Sequence, residues 1–454
     1  MLPLAVAVAA VPVLALPAVP AGAVTYGTPT ITFSTGYLSG AVGATGDPTV
    51  TVTVAQSGAS ASALTVAASA TTRSSVARTG DVTVTGTGST RTLAVAAQGV
   101  GYADLTVKVT GLGGKSATRT LHYAASPAVQ SAATSRYLTG SSDASAAVDA
   151  GGGYTVVADD ESNVLRLYAR GTSGAPVRTW DFSSALGVSK EIDIEGATRV
   201  GNTVYWTGSL GNNKDGVVKP DRHTVFATTV TGSGADTQLS LAGSFDGLRD
   251  DLIAWDDAHG KRYGFAAGAA DGQAPKQIDG FNVEGLEFAP GSTSTAYVGF
   301  RAPLTPAVTG GRALLVPVTD LPSLVNGSAA HATFGDPVEL DLGGLSVRDI
   351  RRNDLGQYLI VAGSWAAEDN SAPYALYRWD GRPGSRPTKL IDLPTSDYGA
   401  WEAVVDVPDL DAPGARAQLI TDDGSADLYG DGTAAKDLTH PEWKKSRSTW
   451  FALN

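Results

Sequence analysis

The chain has 454 residues, enough for two or three domains, and carries 33 Lys/Arg against 45 Asp/Glu for a net charge of −12. It has no cysteine, which excludes disulfides and thiolate metal sites. The acidic balance argues against a nucleic-acid partner, because neutralising phosphates takes clustered basic side chains.

Residues 1–23 are an apolar Ala/Val/Leu/Pro stretch ending Ala21-Gly22-Ala23 and read as a secretory signal peptide. Pro12, Pro17 and Pro20 argue against a spanning helix, so the expectation is a secreted, extracellular chain without a transmembrane segment. Residues 24–125 hold six Lys/Arg and three Asp/Glu; that +3 leaves −15 beyond them, where all eight tryptophans also lie. Two domains follow from this split. The first alternates apolar and small polar residues, as in Val50-Thr51-Val52-Thr53-Val54 and Leu105-Thr106-Val107-Lys108-Val109, with Gly/Ser turns between runs. That pattern predicts an all-β sandwich. The run from Tyr102 to Thr110, then Gly113-Gly114 and a last strand, resembles the closing hairpin of bacterial Ig-like and cadherin-like modules, which implies an Ig-like β-sandwich acting as a spacer. Residues 126–136, rich in Ala, Ser and Pro, read as a linker.

From residue 137 to 454 one hairpin phrase recurs every ~50–90 residues. Its clear copies are Asp193-Ile194-Glu195-Gly196 and Asn282-Val283-Glu284-Gly285; weaker ones are Ser346-Val347-Arg348-Asp349 and Ala400-Trp401-Glu402-Ala403. Five units of three or four short strands align on it, as expected for a β-propeller. Five blades are predicted, with six as the alternative count. The fifth unit lacks a strand, and Arg136-Tyr137-Leu138 precedes the first unit without a blade, so pairing them would close the ring. Leu248, Leu252, Ile253 and Trp255 have helical spacing and predict a helical insertion near 247–280 rather than a sixth blade.

The phrases from Ile192 to Gly196, Phe281 to Leu286, Gly299 to Pro303, Leu340 to Gly344, Val347 to Ile350 and Thr421 to Gly424 resemble, in order, those of the 3616 family of domains of unknown function, over residues ~140–450. The resemblance implies a propeller and no activity. The Glu-Gly phrase alone is also similar to esterase-like phytase propellers, which implies a possible phosphoester hydrolase without assigning a catalytic residue.

Aligned between blades, Ser145, Glu195, Glu284, Arg348 and Glu402 form one expected ring around the channel, and Asp159, Ser209, Arg301, Ser364 and Asp422 a second. Carboxylates at this density suit a hard cation such as Ca²⁺, with Glu195, Glu284, Glu402, Asp159 and Asp422 as candidate ligands. Arg301 and Arg348 would then hold an anionic group, helped by Lys214, Arg222 and His223 on a neighbouring loop. The same Glu/Arg ring also fits a network of ion pairs that only fixes blade register. The runs Asp159-Asp160-Glu161 and Asp422-Asp423 read as solvated turns, and Asn326-Gly327-Ser328 as a turn. No nucleophile elbow, phosphate loop, dinucleotide fingerprint or paired histidine motif is present. The leading expectation is an exported, monomeric binding module for a small polar or anionic ligand or a cell-surface component. A cation-dependent phosphoester hydrolase using Glu195 or Glu284, and a structural cell-surface protein, are the alternatives.

Overall fold

The computed structural model describes residues 24–128, 131, 133–366, 373–395 and 399–453; the expected signal peptide lies outside them, as do parts of the linker. The chain is all-β, with seven four-stranded sheets among the described residues. Two form a sandwich. One is ordered Thr30–Phe33, Val50–Ala55, Thr90–Val95, Val82–Thr85, and the other Tyr37–Ala41, Ser116–Ser126, Gly101–Thr110, Thr65–Thr71. The period-two alternation puts Val50, Val52 and Val54 of one sheet against Leu105, Val107 and Val109 of the other, all buried. Tyr37–Ala41 runs parallel to its neighbour; every other pair in the sandwich is antiparallel.

The other five sheets are the blades of a propeller. Their inner strands are Ala144–Gly151, Ile194–Val200, Asn282–Phe288, Ser346–Arg352 and Ala400–Val404. Each inner strand touches the next in this order, and the last touches the first, so the sheets close on themselves. The fifth blade takes its outermost strand from the stretch of chain that precedes the first blade: Ser135–Thr139 pairs antiparallel with Lys445–Ala452. Between the second and third blades the chain forms the helix Leu248–Ala258, with Leu248 and Leu252 buried against strands of both blades.

One irregularity repeats in all five blades. The inner strand slips one residue against its neighbour between Ala144 and Ala146, Ile194 and Gly196, Val283 and Gly285, Val347 and Asp349, and Trp401 and Ala403. The residues skipped by these β-bulges are Ser145, Glu195, Glu284, Arg348 and Glu402. A bulge bends its strand and re-aims the extra side chain, so the repeated phrase in the sequence is the signature of the bulge. The glycines that follow it answer to crowding between blades: a Cβ on Gly196 would lie 3.2 Å from the Leu286 backbone nitrogen, and one on Gly285 3.0 Å from Val347 and Ile350.

The sandwich is docked on the fifth blade rather than held off as a spacer. Tyr37 stacks on His440 with ring centroids 3.7 Å apart and meets Trp443 edge-on, while Ala124 packs with Leu428, Tyr429 and Leu438. Lys445, 1% exposed, donates to the Gly40 carbonyl at 2.7 Å and lies over the Tyr137 ring at 4.5 Å. Burial pushes its pKa down to about 7, against the pull of Asp47 and Asp423. Between pH ~7 and ~10.5 the unfolded chain therefore holds a proton that the native lysine has released, and stability rises with pH. Lys445→Met is expected to flatten that rise, which amounts to at most about 1.4 kcal/mol per pH unit. Equilibrium denaturation of both proteins across this range measures it; parallel curves would show that Lys445 stays charged in the interface.

Candidate functional site

The bulges turn four charged side chains and one serine toward the channel, and the blades use them differently. In the first, the Ser145 hydroxyl donates across the blade boundary to the Ile194 carbonyl. In the third, Glu284 accepts from Arg301 Nη1 at 2.8 Å and from Asn282 Nδ2 at 3.2 Å. Arg348, from the fourth blade, places Nε 2.9 Å from both Glu284 Oε2 and Glu402 Oε2, with its N–H directed at Glu402. Its Nη2 donates to the other Glu402 oxygen, and Nη1 to the Ser364 carbonyl at 3.3 Å. Arg301 is only 2% exposed and spends its remaining donors on the Trp365 and Ala366 carbonyls. Glu284, Arg301, Arg348 and Glu402 thus form an ion-paired network across three blades, in which Glu284 Oε2 meets Arg348 by charge alone and has no hydrogen bond.

Glu195 stands apart. It is 6% exposed and has no hydrogen bond or ion pair among the described residues. One oxygen each of Asp160, Asp193 and Glu195 lie within 4.8 Å of one another. Asp160 comes from the turn after Tyr154–Asp159 of the first blade; its Oδ1 is buried without a hydrogen-bond partner. Asp193 sits just before the inner strand Ile194–Val200 with a left-handed φ of 59°, uncommon for a residue with a side chain, and accepts from Arg222 Nη1 at 2.7 Å. Burial first, and then like charge, pushes the Asp160 and Glu195 carboxyls well above the usual range. Asp422, Asp143 and Asp193 act on Asp160, while Glu284, Asp193 and Glu402 act on Glu195, opposed by Lys276.

Several expected site residues take other places. Asp159 accepts from the Ser141 hydroxyl and the Glu161 N–H; burial, with Arg166 opposing, pushes its pKa up to about 7. Asp422 accepts from the Gly424 N–H at 2.8 Å and flanks Asp160. Asp159 and Asp423 are 4% and 2% exposed, whereas Asp160 and Asp422 are half-buried and Glu161 is exposed, so the expected solvated turns hold only in part: each run buries one carboxylate. Of Lys214, Arg222 and His223 on the expected anion-binding loop, only Lys214 is exposed. Arg222 is engaged by Asp193 and Glu191, and His223 lies 2.9 Å from Arg249. Burial and that guanidinium push the His223 pKa down to about 4, so it carries no charge at neutral pH. Asp193 lies inside the repeated phrase and Asp160 inside an acidic run, but their convergence on Glu195 has no local signal.

At the other end of the inner strands the channel is blocked. Arg351 crosses from the fourth blade to donate to the Ala147 carbonyl of the first and the Val404 carbonyl of the fifth. Below it lies a cavity of about 490 Å³ bordered by Asp149, Arg199, Glu287, Arg352 and Asp406. Glu287 and Arg352 pair at 3.4 Å, and Asp149 and Asp406 both pair with Arg170.

No protein-family model matches the chain, and no curated protein does. Among solved structures it is similar to YCF48 from Cyanidioschyzon merolae, at 11% identity over 77% of this chain and 76% of that one, with a TM-score of 0.28. It is also similar to an α-L-arabinanase of Penicillium chrysogenum complexed with arabinobiose, at 12% identity over 70% and 99% of the two chains, with a TM-score of 0.34. At these levels neither likeness bears on ligand or reaction.

The arginine network and the Glu195 cluster should respond differently to mutation. Arg348→Met strands the buried Glu402 carboxylate, leaves Glu284 to Arg301 and Asn282, and is expected to cost about 3–5 kcal/mol in chemical denaturation. Glu195→Gln, which breaks no hydrogen bond or ion pair, should cost far less; equal losses would mean that both groups serve only to hold the blades together.

Proposed function

We propose that this chain is an exported propeller binding module that holds a divalent cation, best suited to Ca²⁺, between Asp160, Asp193 and Glu195, and uses it to retain a small polar or anionic ligand at that end of the channel. The observation that carries this reading is Glu195: a carboxylate 6% exposed, without hydrogen bond or ion pair, facing two others. Leaving such a group uncompensated is costly, and a cation bound to it removes the cost. The spread of the three oxygens suits the size of calcium, whose ligands at 2.3–2.6 Å stand at most about 5 Å apart across the ion. The remaining coordination positions would be open to water or to a ligand oxygen.

Export rests on the apolar stretch at residues 1–23 and its small-residue ending. The phrases similar to the 3616 family support the propeller and assign no activity. The geometry favours binding over phosphoester hydrolysis, because Arg301 and Arg348, the clamps that hydrolysis was expected to use, are occupied by carboxylates and carbonyls.

Calcium at about 1 mM is expected to raise the melting temperature of the EDTA-treated protein and to give a saturable heat in calorimetry. Asp160→Asn and Glu195→Gln should abolish both effects. Absence of a shift and of heat in the parent protein would sink the reading. Without calcium, the raised Glu195 carboxyl holds a proton in the native state that the unfolded chain has lost, so its contribution falls as pH rises above about 4.5. Metal-free Glu195→Gln should therefore gain on the parent protein between pH ~5 and ~7, and calcium should reverse the order.

A further inference from the structure

A second cavity, of about 330 Å³, lies where the sandwich meets the fifth blade, away from the channel. Its rings are Tyr102, from the strand Gly101–Thr110, the buried Tyr123 and Trp443; the Tyr102 and Trp443 centroids are 5.1 Å apart and their planes inclined at 52°, forming an aromatic corner. Three carboxylates share the lining, Asp104 from the sandwich and Asp431 and Asp437 from the propeller, and no lysine or arginine is among the lining residues. Asp431 accepts from the Tyr102 hydroxyl at 3.0 Å, which fixes one ring, and Asp104 pairs with His122 at 2.7 Å. Asp437 is exposed, and its carboxylate has no hydrogen bond or ion pair among the described residues. Burial first, then Asp431 and Asp427, push the Tyr102 hydroxyl far above its ordinary pKa, so it stays neutral beside them.

We infer that this cleft between the domains binds a small molecule through an alkylammonium group, seated on the Tyr102–Trp443 corner and faced by Asp104, Asp431 and Asp437. Aromatic faces attract a cation by their quadrupole, most strongly when it is partly desolvated, and carboxylates with no lysine or arginine in the lining add to that attraction while repelling anions. The volume matches a small ligand rather than a bound domain. Because the occupant touches both domains, binding also tightens their contact. This site is independent of the calcium reading.

The test is calorimetry on the full chain in EDTA, with choline against the uncharged alcohol in which carbon replaces its nitrogen. Choline is expected to bind with a dissociation constant below about 10 mM and at least about tenfold more tightly than the alcohol. Asp431→Asn with Asp437→Asn should weaken choline about threefold to tenfold without lowering the melting temperature. Equal affinity for the neutral alcohol, binding of glucose but not choline, or no heat would each overturn the inference, and the first two need no variant. A lysine-bearing peptide that binds more tightly than choline would keep the ammonium chemistry and overturn the small-molecule source.

Discussion

A single backbone device organises the propeller: the β-bulge on the inner strand of every blade. A regular strand would alternate its side chains between the two faces of its own sheet. The extra residue breaks that alternation and frees one side chain per blade to reach a neighbouring blade or the channel. The glycine after the bulge in the second and third blades then lets the next blade approach to van der Waals distance. Blade packing and site chemistry thus depend on the same few residues.

What those five residues do is decided by charge balance. Arg348 lies between Glu284 and Glu402, and Arg301 takes the remaining side of Glu284, so three neighbouring blades are tied by buried ion pairs. With both guanidiniums spent there, Glu195 in the second blade has no arginine paired to it; the nearby Arg222 is bonded to Asp193 and acts on Glu195 only through its charge. Glu195 faces Asp193 of its own blade and Asp160 of the first instead, and a serine stands where the first blade would bring a further charge. The ring is thus ion-paired over part of its circumference and unpaired over the rest.

The docking of the sandwich follows from different physics. Its second sheet presents Tyr37, Tyr102 and Ala124, and the long loop of the fifth blade presents Tyr429, Leu438, His440 and Trp443. Aromatic contact holds the two together, and Lys445 is trapped beneath it. Because the strand that closes the propeller, Ser135–Thr139, follows shortly after the last strand of the sandwich, docking and ring closure involve adjoining stretches of chain. The aromatic corner of the second cavity is part of this contact.

The sequence by itself determined the local rules: alternating runs such as Val50-Thr51-Val52 that can only be half-buried strands, the recurring Glu-Gly phrase, the helical spacing from Leu248 to Trp255, and the strand around Tyr137 left over for closure. All of these are periodicities within one stretch of chain, and a period constrains the backbone directly. The equivalence of Ser145, Glu195, Glu284, Arg348 and Glu402 was legible for the same reason. Which of them pair was not, because the partners come from different blades at distances set by ring closure. The burial of Asp159 at the head of its acidic run, the neutral state of His223 beside Arg249, the convergence of Asp160 and Asp193 on Glu195, and the docking of the sandwich are likewise products of tertiary packing. Local sequence records which groups carry charge; only the folded chain decides which charges are left without a partner.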